Sequence, residues 1–226
     1  MVPAHSMEEA MEKAKAMMGW DEKYPRRDMG NGKVRGVGVA LAMQGSAIAG
    51  VDVGGATIKL GEDGSYTLSL GATDMGTGCD TILAQMAADV LETELENIVV
   101  FGVDTDISPY DSGSYASATT YVTGMAVSDA CGQLREKIKG LGAEMLELAA
   151  KDVDFDGKRV YALDGGREVS LQDIAVRGTC GNNESLHVTV NRSSKISPPP
   201  FMVGMAEVEV DKETGSVELL DYVAVV

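Results

Sequence analysis

An α+β fold built around a mixed β-sheet is what this sequence predicts, on three observations. Helix-period and strand-period segments are intermixed along the chain and do not recur as regular strand–helix–strand units. Several alternating segments come in pairs joined by turn residues, as hairpins do. The chain has 226 residues, 44% of them hydrophobic and 24% charged, which is enough to bury a real core.

The elements follow in order. Met7 to Met18 has helical spacing and no breaker. Trp20 to Asn31 reads as a polar connector, with Trp20 a packing residue. Val34 to Gln44 is apolar and punctuated by glycine, and predicts a buried strand. Ala56 to Leu60 and Tyr66 to Leu70 alternate with period two around the turn signal Glu62-Asp-Gly64, a hairpin. Ile82, Leu83, Met86 and Val90 then share one helical face, with Thr77 and Asp80 at capping-box spacing ahead of them. Asn97 to Val103 predicts a strand. Ser114 to Lys151 is largely helical, with breaks expected at Gly124, Gly132, Gly140 and Gly142. Val153 to Tyr161 is a second hairpin, and Ser170 to Arg177 a short helix. A proline-ended loop, Ser193 to Pro200, leads into strands at Val203 to Val210 and Ser216 to Val226. The last residues still read as strand, so the chain is expected to stop before its domain does.

Composition narrows the function. The net charge of −16 carries no basic face, which argues against nucleic acid. No apolar run approaches the ~18 residues of a membrane helix, and the N-terminus is not a targeting segment. Cys79, Cys131 and Cys180 are widely spaced without a CxxC, so neither a zinc nor an iron–sulfur site is legible. Their odd count suggests a reducing, cytoplasmic compartment. His5 and His187 are isolated and read as surface or structural histidines.

Two segments carry chemistry. In Gly71-Ala-Thr-Asp-Met-Gly-Thr-Gly78 a strand runs into a glycine turn and a helix leaves near Thr81. Gly76 and Gly78 let the backbone approach a ligand closely, and the first helical N–H groups lack intrahelical partners. A structural turn with a Thr cap satisfies the same pattern. In Tyr110-Asp-Ser-Gly-Ser-Tyr-Ala-Ser117 and on to Thr119, hydroxyl groups crowd a second helix start. They could donate to phosphate or other ligand oxygens, or simply cap the helix.

Together these segments resemble the xanthine dehydrogenase/aldehyde oxidase family of molybdenum hydroxylases. The first is similar to that family's Gly-x-x-Glu-Met-Gly-Gln-Gly. The second is similar to the Thr-Asp-Thr-Asp-x-x-Pro-x-Asp-x-Gly-x-x-Ala-Ser of its bacterial purine hydroxylases, here beginning at Val103-Asp-Thr-Asp106. Gly30 to Gly45, Ser197-Pro-Pro-Pro-Phe201 and Ala206 to Asp211 extend the likeness over nearly the whole chain. Asp74 stands in place of Glu, and Thr77 in place of a Gln whose longer amide could reach a pterin or a metal ligand.

The resemblance implies a piece, residues 1–226, of a molybdopterin-binding large subunit, incomplete at both ends relative to the family. It implies cofactor contacts at Met75, Gly76, Thr77, Gly78 and Thr81, and at Ser114, Tyr115, Ala116, Ser117, Ala118 and Thr119. The cofactor would be molybdopterin with molybdenum, in its cytosine dinucleotide form, with iron–sulfur clusters and FAD on partner subunits. The reaction would be hydroxylation of a purine or related N-heterocycle with water as oxygen source. The resemblance places the family's catalytic glutamate in a Gly-Glu motif downstream of the last strand here, and no Glu of this sequence, Glu62 after Gly61 included, sits in that context. No catalytic residue and no protein metal ligand is therefore assigned, and the chain alone is expected to be inactive. Cys79, beside the turn at a helix N-terminus, is placed where a thiol pKa falls.

Two other readings compete. Val51-Asp-Val-Gly-Gly-Ala-Thr-Ile-Lys-Leu60 looks like the first phosphate loop of the sugar kinase and actin-like fold, which would imply ATP-dependent phosphotransfer. The plainer account is a hairpin whose glycines are packing contacts. A non-catalytic interaction module is the remaining alternative.

Overall fold

The computed structural model describes residues 6–180 and 185–226, so His5 lies outside the described residues. They form two compact units, Met1–Ser46 with Pro198–Val226, and Ala47–Ser197.

The first unit holds α1 (Met7–Met18), α2 (Trp20–Lys23), β1 (Arg26–Asp28) and β2 (Lys33–Met43). Late in the chain it gains two more strands, which in chain order are β10 (Phe201–Asp211) and β11 (Val217–Val225). These make an antiparallel sheet in the order β1-β2-β10-β11. Helix α1 carries Glu8 and Glu9 in its first turn, matching the helix dipole, and ends at Gly19 with φ 67°. Its stripe of Ala10, Ala14 and Met18 packs on Val203, Met205 and Val223. The connector expected at Trp20 to Asn31 in fact contains α2 and β1, and Trp20 stacks on Tyr24 with ring centroids 4.7 Å apart. The segment expected as a buried strand is a strand, but Val39, Leu41 and Met43 are exposed. Its apolar residues read as interior because hydropathy does not say which part of a strand finds a cover.

Two glutamates of β10 are buried, and each is paired on both oxygens. Glu207 meets Lys23 at 2.7 Å and also Arg27. Glu209 meets Lys33 at 2.6 Å and Arg35 at 2.8 Å. Without those cations, burial would penalise both carboxylates.

The second unit centres on a sheet ordered β5-β4-β3-β9. Its strands are β3 (Val53–Leu60), β4 (Tyr66–Leu70), β5 (Ile98–Phe101) and β9 (His187–Ser193). β4 and β5 run parallel while the other pairs are antiparallel, so this is the mixed sheet. Helices α3 (Cys79–Leu91) and α4 (Gly124–Met145) bury Ile58, Leu68, Leu70, Leu83, Leu91, Leu134 and Ile138 against it. Each such side chain contributes about 1.5–3 kcal/mol on burial. A small antiparallel sheet, β6 (Val153–Phe155), β7 (Arg159–Ala162) and β8 (Glu168–Ser170), is followed by α5 (Leu171–Cys180).

Four expectations change here. Helix α4 runs unbroken through Gly132, Gly140 and Gly142. At Gly142 a Cβ would lie 2.6 Å from Val160, and at Gly124 it would lie 2.8 Å from the Met86 sulfur, so these two glycines mark close packing. The turns ahead of α4 are a 3-10 turn at Tyr115–Ser117 and a π-helical turn at Thr119–Thr123. Ile82 is 39% exposed, because the buried face of α3 runs through Cys79, Leu83, Ala84, Ala87, Ala88 and Leu91. The helix cap is not a Thr77–Asp80 box. Gly78 is the cap position, and the carboxylate of Asp74 does the capping.

Candidate cofactor-binding site

Both chemistry-bearing segments lie in the second unit. They meet at their bases. A Cβ on Gly71 would strike the Pro109 carbonyl and come within 2.6 Å of Asp111 Cβ. Gly54 and Gly55, the glycines of the phosphate-loop-like motif, face the same chain. A Cβ at Gly54 would lie 2.6 Å from the Thr123 backbone, and one at Gly55 would lie 2.6 Å from the Tyr110 carbonyl. Their role is packing, and they leave no opening for a phosphate, so the kinase-like reading is set aside.

The first turn is organised by Asp74. One of its oxygens accepts the amides of Gly76 at 2.8 Å and Gly78 at 3.2 Å, and the other accepts that of Asp80 at 3.4 Å. These bonds, the one from Gly76 first, hold the Asp74 carboxyl below its ordinary value. The amides that the glycine pattern offers to a ligand are thus directed inward. What faces outward is Met75, 70% exposed, with Gly76, Thr77 and, in the first turn of α3, Thr81. Gly76 and Gly78 have φ of 99° and 75° with open space on the Cβ side, so only glycine sits there without strain.

Cys79 is corrected against expectation. It is buried, and desolvation raises its thiol pKa, with Asp80 and Asp74 adding to the rise against a hydrogen bond from Thr77. The helix terminus does not offset burial there. Asp74, Cys79 and Asp80 have ligand atoms within 4.8 Å of one another, but Asp74 is already engaged as the cap.

The second turn uses the same device and then departs from it. Asp111 accepts the Gly113 amide at 2.9 Å, repeating the Asp-x-Gly geometry of Asp74 and Gly76, and its other oxygen accepts the Thr123 hydroxyl at 2.7 Å. Beyond it Ala116 and Ser117 are consecutive non-glycine residues at φ 51° and 58°. Left-handed backbone at such residues costs roughly 1–2 kcal/mol each and collects at functional sites. Tyr115, Ala116 and Ser117 are exposed, Ser114 is half-buried, and Ala118 is buried with Ala47 and Val122. The Thr119 hydroxyl is buried with no hydrogen-bond partner among the described residues. It opens the π-helical turn Thr119–Thr123, a form found mostly at functional positions.

Sequence reasoning named the glycines and hydroxyls but missed the two aspartates as organisers. Their signal was available, since Asp-x-Gly is the pattern of a side chain bonding its own backbone two residues on.

Residues 13–226 match a family model described as the molybdopterin cofactor-binding domain. A probable hypoxanthine oxidase of Escherichia coli is 35% identical over 222 residues, which is 97% of this chain and 23% of that protein. The xanthine dehydrogenase molybdenum-binding subunit of Escherichia coli is 29% identical over 211 residues, 90% of this chain and 28% of that one. The reconstituted CO dehydrogenase from Oligotropha carboxidovorans shares the fold over 95% of this chain and 30% of its own, with a TM-score of 0.82 at 21% identity. The chain therefore spans about a quarter of the length of these curated relatives.

Proposed function

The chain belongs to the molybdopterin cofactor-binding domain family, and from that premise we propose that it supplies one wall of the cofactor site in a xanthine dehydrogenase-like hydroxylase. The observation that carries this is the second turn. It has a buried Thr119 hydroxyl, unpartnered among the described residues, two positions after the second of two exposed left-handed residues. A buried hydroxyl without a partner costs about 1–3 kcal/mol, which a ligand oxygen would relieve. Ser114, Tyr115, Ala116, Ser117, Ala118 and Thr119 form the binding segment in this reading. Met75, Gly76, Thr77, Gly78 and Thr81 frame it, with the glycines giving close approach through their bare Cα surface, since their amides serve Asp74.

When bound, the molybdenum cofactor supplies two-electron oxidation of a substrate carbon, with water as oxygen source. The residues here hold and orient it through hydroxyl and backbone groups. The general base and the remaining cofactor contacts come from other segments. The dinucleotide form of the pterin, iron–sulfur and FAD partner subunits, and a cytoplasmic setting belong to the same proposal. Purines and related N-heterocycles are the proposed substrates. That choice is supported by the likeness to a probable hypoxanthine oxidase and to a xanthine dehydrogenase subunit.

Metal analysis and pterin fluorescence on the natively purified complex test the reading. Molybdenum and pterin together are the expected result, and a blank in both would overturn it. The 226-residue chain alone should hold no molybdenum and oxidise neither xanthine nor an aldehyde.

A further inference from the structure

The loop 47–53 runs beside the second turn and is bonded to it at both ends. At one end the Ala47 amide donates to the Ala116 carbonyl at 2.7 Å. At the other, the Val53 amide donates to the Ser112 hydroxyl at 3.0 Å, and the Ser112 amide donates to the Val53 carbonyl at 2.9 Å. Between these ends the loop is closed on itself. The Ile48 amide donates to Asp52 Oδ2 at 2.7 Å, and the amides of Val51 and Asp52 return to the Ile48 carbonyl at 3.1 Å. A side tie runs from the Gly50 amide to the Ser194 carbonyl at 2.7 Å, and Ser194 Oγ meets the Tyr121 hydroxyl at 2.9 Å.

Asp52 is 1% exposed, and its other oxygen is buried with no hydrogen-bond partner among the described residues. Burying a carboxylate with one oxygen unsatisfied is costly, and such a group calls for a specific reason. The reason lies in what the loop holds. The Ala116 carbonyl belongs to the planar peptide it shares with Ser117. Fixing its direction constrains ψ of Ala116 and φ of Ser117 at once. The second of these takes Ser117 into the left-handed region, and the first holds Ala116 within it; that region persists only where surroundings over-determine it.

We propose that Asp52 is a positioning residue. Its carboxylate closes the loop 47–53 into a bracket that grips Ser112 and Ala116 and thereby sets the backbone of the 114–119 binding segment. The bracket stands on geometry alone, while its consequence for cofactor loading rests on the function proposed above.

Hydrogen–deuterium exchange on the full chain, followed by mass spectrometry, tests the bracket. In Asp52→Ala the segments 47–53 and 112–118 should exchange about tenfold faster, because the Ile48 amide loses a charge-assisted partner. Residues of β4 and α3 should stay within about twofold of wild type. Asp52→Asn keeps an oxygen for the Ile48 amide and should remain within about threefold. Unchanged exchange at 112–118, or equal acceleration in β4 and α3, would overturn the proposal. Should Asp52→Ala not fold, Ser112→Ala opens one end of the bracket and must speed 112–118 by at least about threefold, or the proposal fails. Molybdenum content of the native complex carrying Asp52→Ala is the second readout, and it should fall. Faster exchange with undiminished molybdenum would leave the bracket standing and sink the cofactor reading. Less molybdenum with unchanged exchange would sink the bracket.

Discussion

The two glycine-marked turns begin alike and resolve their backbone in opposite ways. In each, an aspartate accepts the amide two residues on, Asp74 from Gly76 at 2.8 Å and Asp111 from Gly113 at 2.9 Å. The first turn stops there. Asp74 also takes the amides of Gly78 and Asp80, and the left-handed positions inside it, Gly76 and Gly78, are glycines. The second turn places Ala and Ser in the left-handed region and leaves a buried Thr hydroxyl unanswered among the described residues. One is relaxed and self-satisfied, the other strained and externally braced. Resemblance to a family motif does not distinguish these states, whereas the accounting of amides and hydroxyls does.

The contrast can be broken most sharply at Gly54. Its Cβ would lie 2.6 Å from the Thr123 backbone, so Gly54→Ala should cost about 2–3 kcal/mol in urea unfolding. It should loosen residues 109–123 while the Asp74 bonds survive. A loss under about 0.5 kcal/mol would mean the second turn is not seated on β3 as described. Asp74→Ala comes next. Loss of the α3 cap should lower the thermal midpoint by about 2–4 °C, with exchange rising only in the first turn of the helix. If molybdenum content fell with no thermal change, Asp74 would face ligand and not backbone. Ala116→Gly should be milder still. Relief of strain and the added freedom of the unfolded chain nearly cancel, so stability should move by less than about 1 kcal/mol. Molybdenum retention should nevertheless drop, and unaltered retention would show that the strain serves no binding. The smallest effect is an acid one. The Asp74 carboxyl is held below its unfolded value, so its contribution is present above about pH 4 and is lost as pH falls through the lower folded value. Fraying of α3 confined to that acid window, after correction for intrinsic exchange, is the expected signature.

Much of the scaffold was legible. Helix α1 has the expected bounds, and the β3–β4 hairpin forms around its Glu62-Asp-Gly64 turn. Periodicity and turn residues are local, and these elements obey local rules. The strands β1, β8 and β9 were not seen, because the first two have three residues each and β9 is defined by pairing with distant β3. Gly124 and Gly142 read as breaks in the sequence and are contacts in the fold, since a glycine's neighbour across a helix interface is invisible in sequence. At the site, the motif residues were found but the aspartates' inward direction was not. Asp52 appeared only as part of a phosphate-loop likeness. Its bonding partners, Ile48 and through the loop Ala116, come together only in the fold.

The second turn also has a kinetic consequence. Between Tyr110 and Thr119 there is no lysine or arginine, and the chain as a whole carries a net charge of −16. On the function proposed above, a phosphate-bearing pterin approaching this wall of the full subunit would meet the chain's long-range repulsion before it met the hydroxyls and backbone that would hold it. Added salt screens that repulsion over the ~10 Å Debye length of 0.1 M solution. This chain's contribution to the salt dependence of loading would then have the reverse of the usual sign, with moderate ionic strength quickening the arrival of an anionic cofactor.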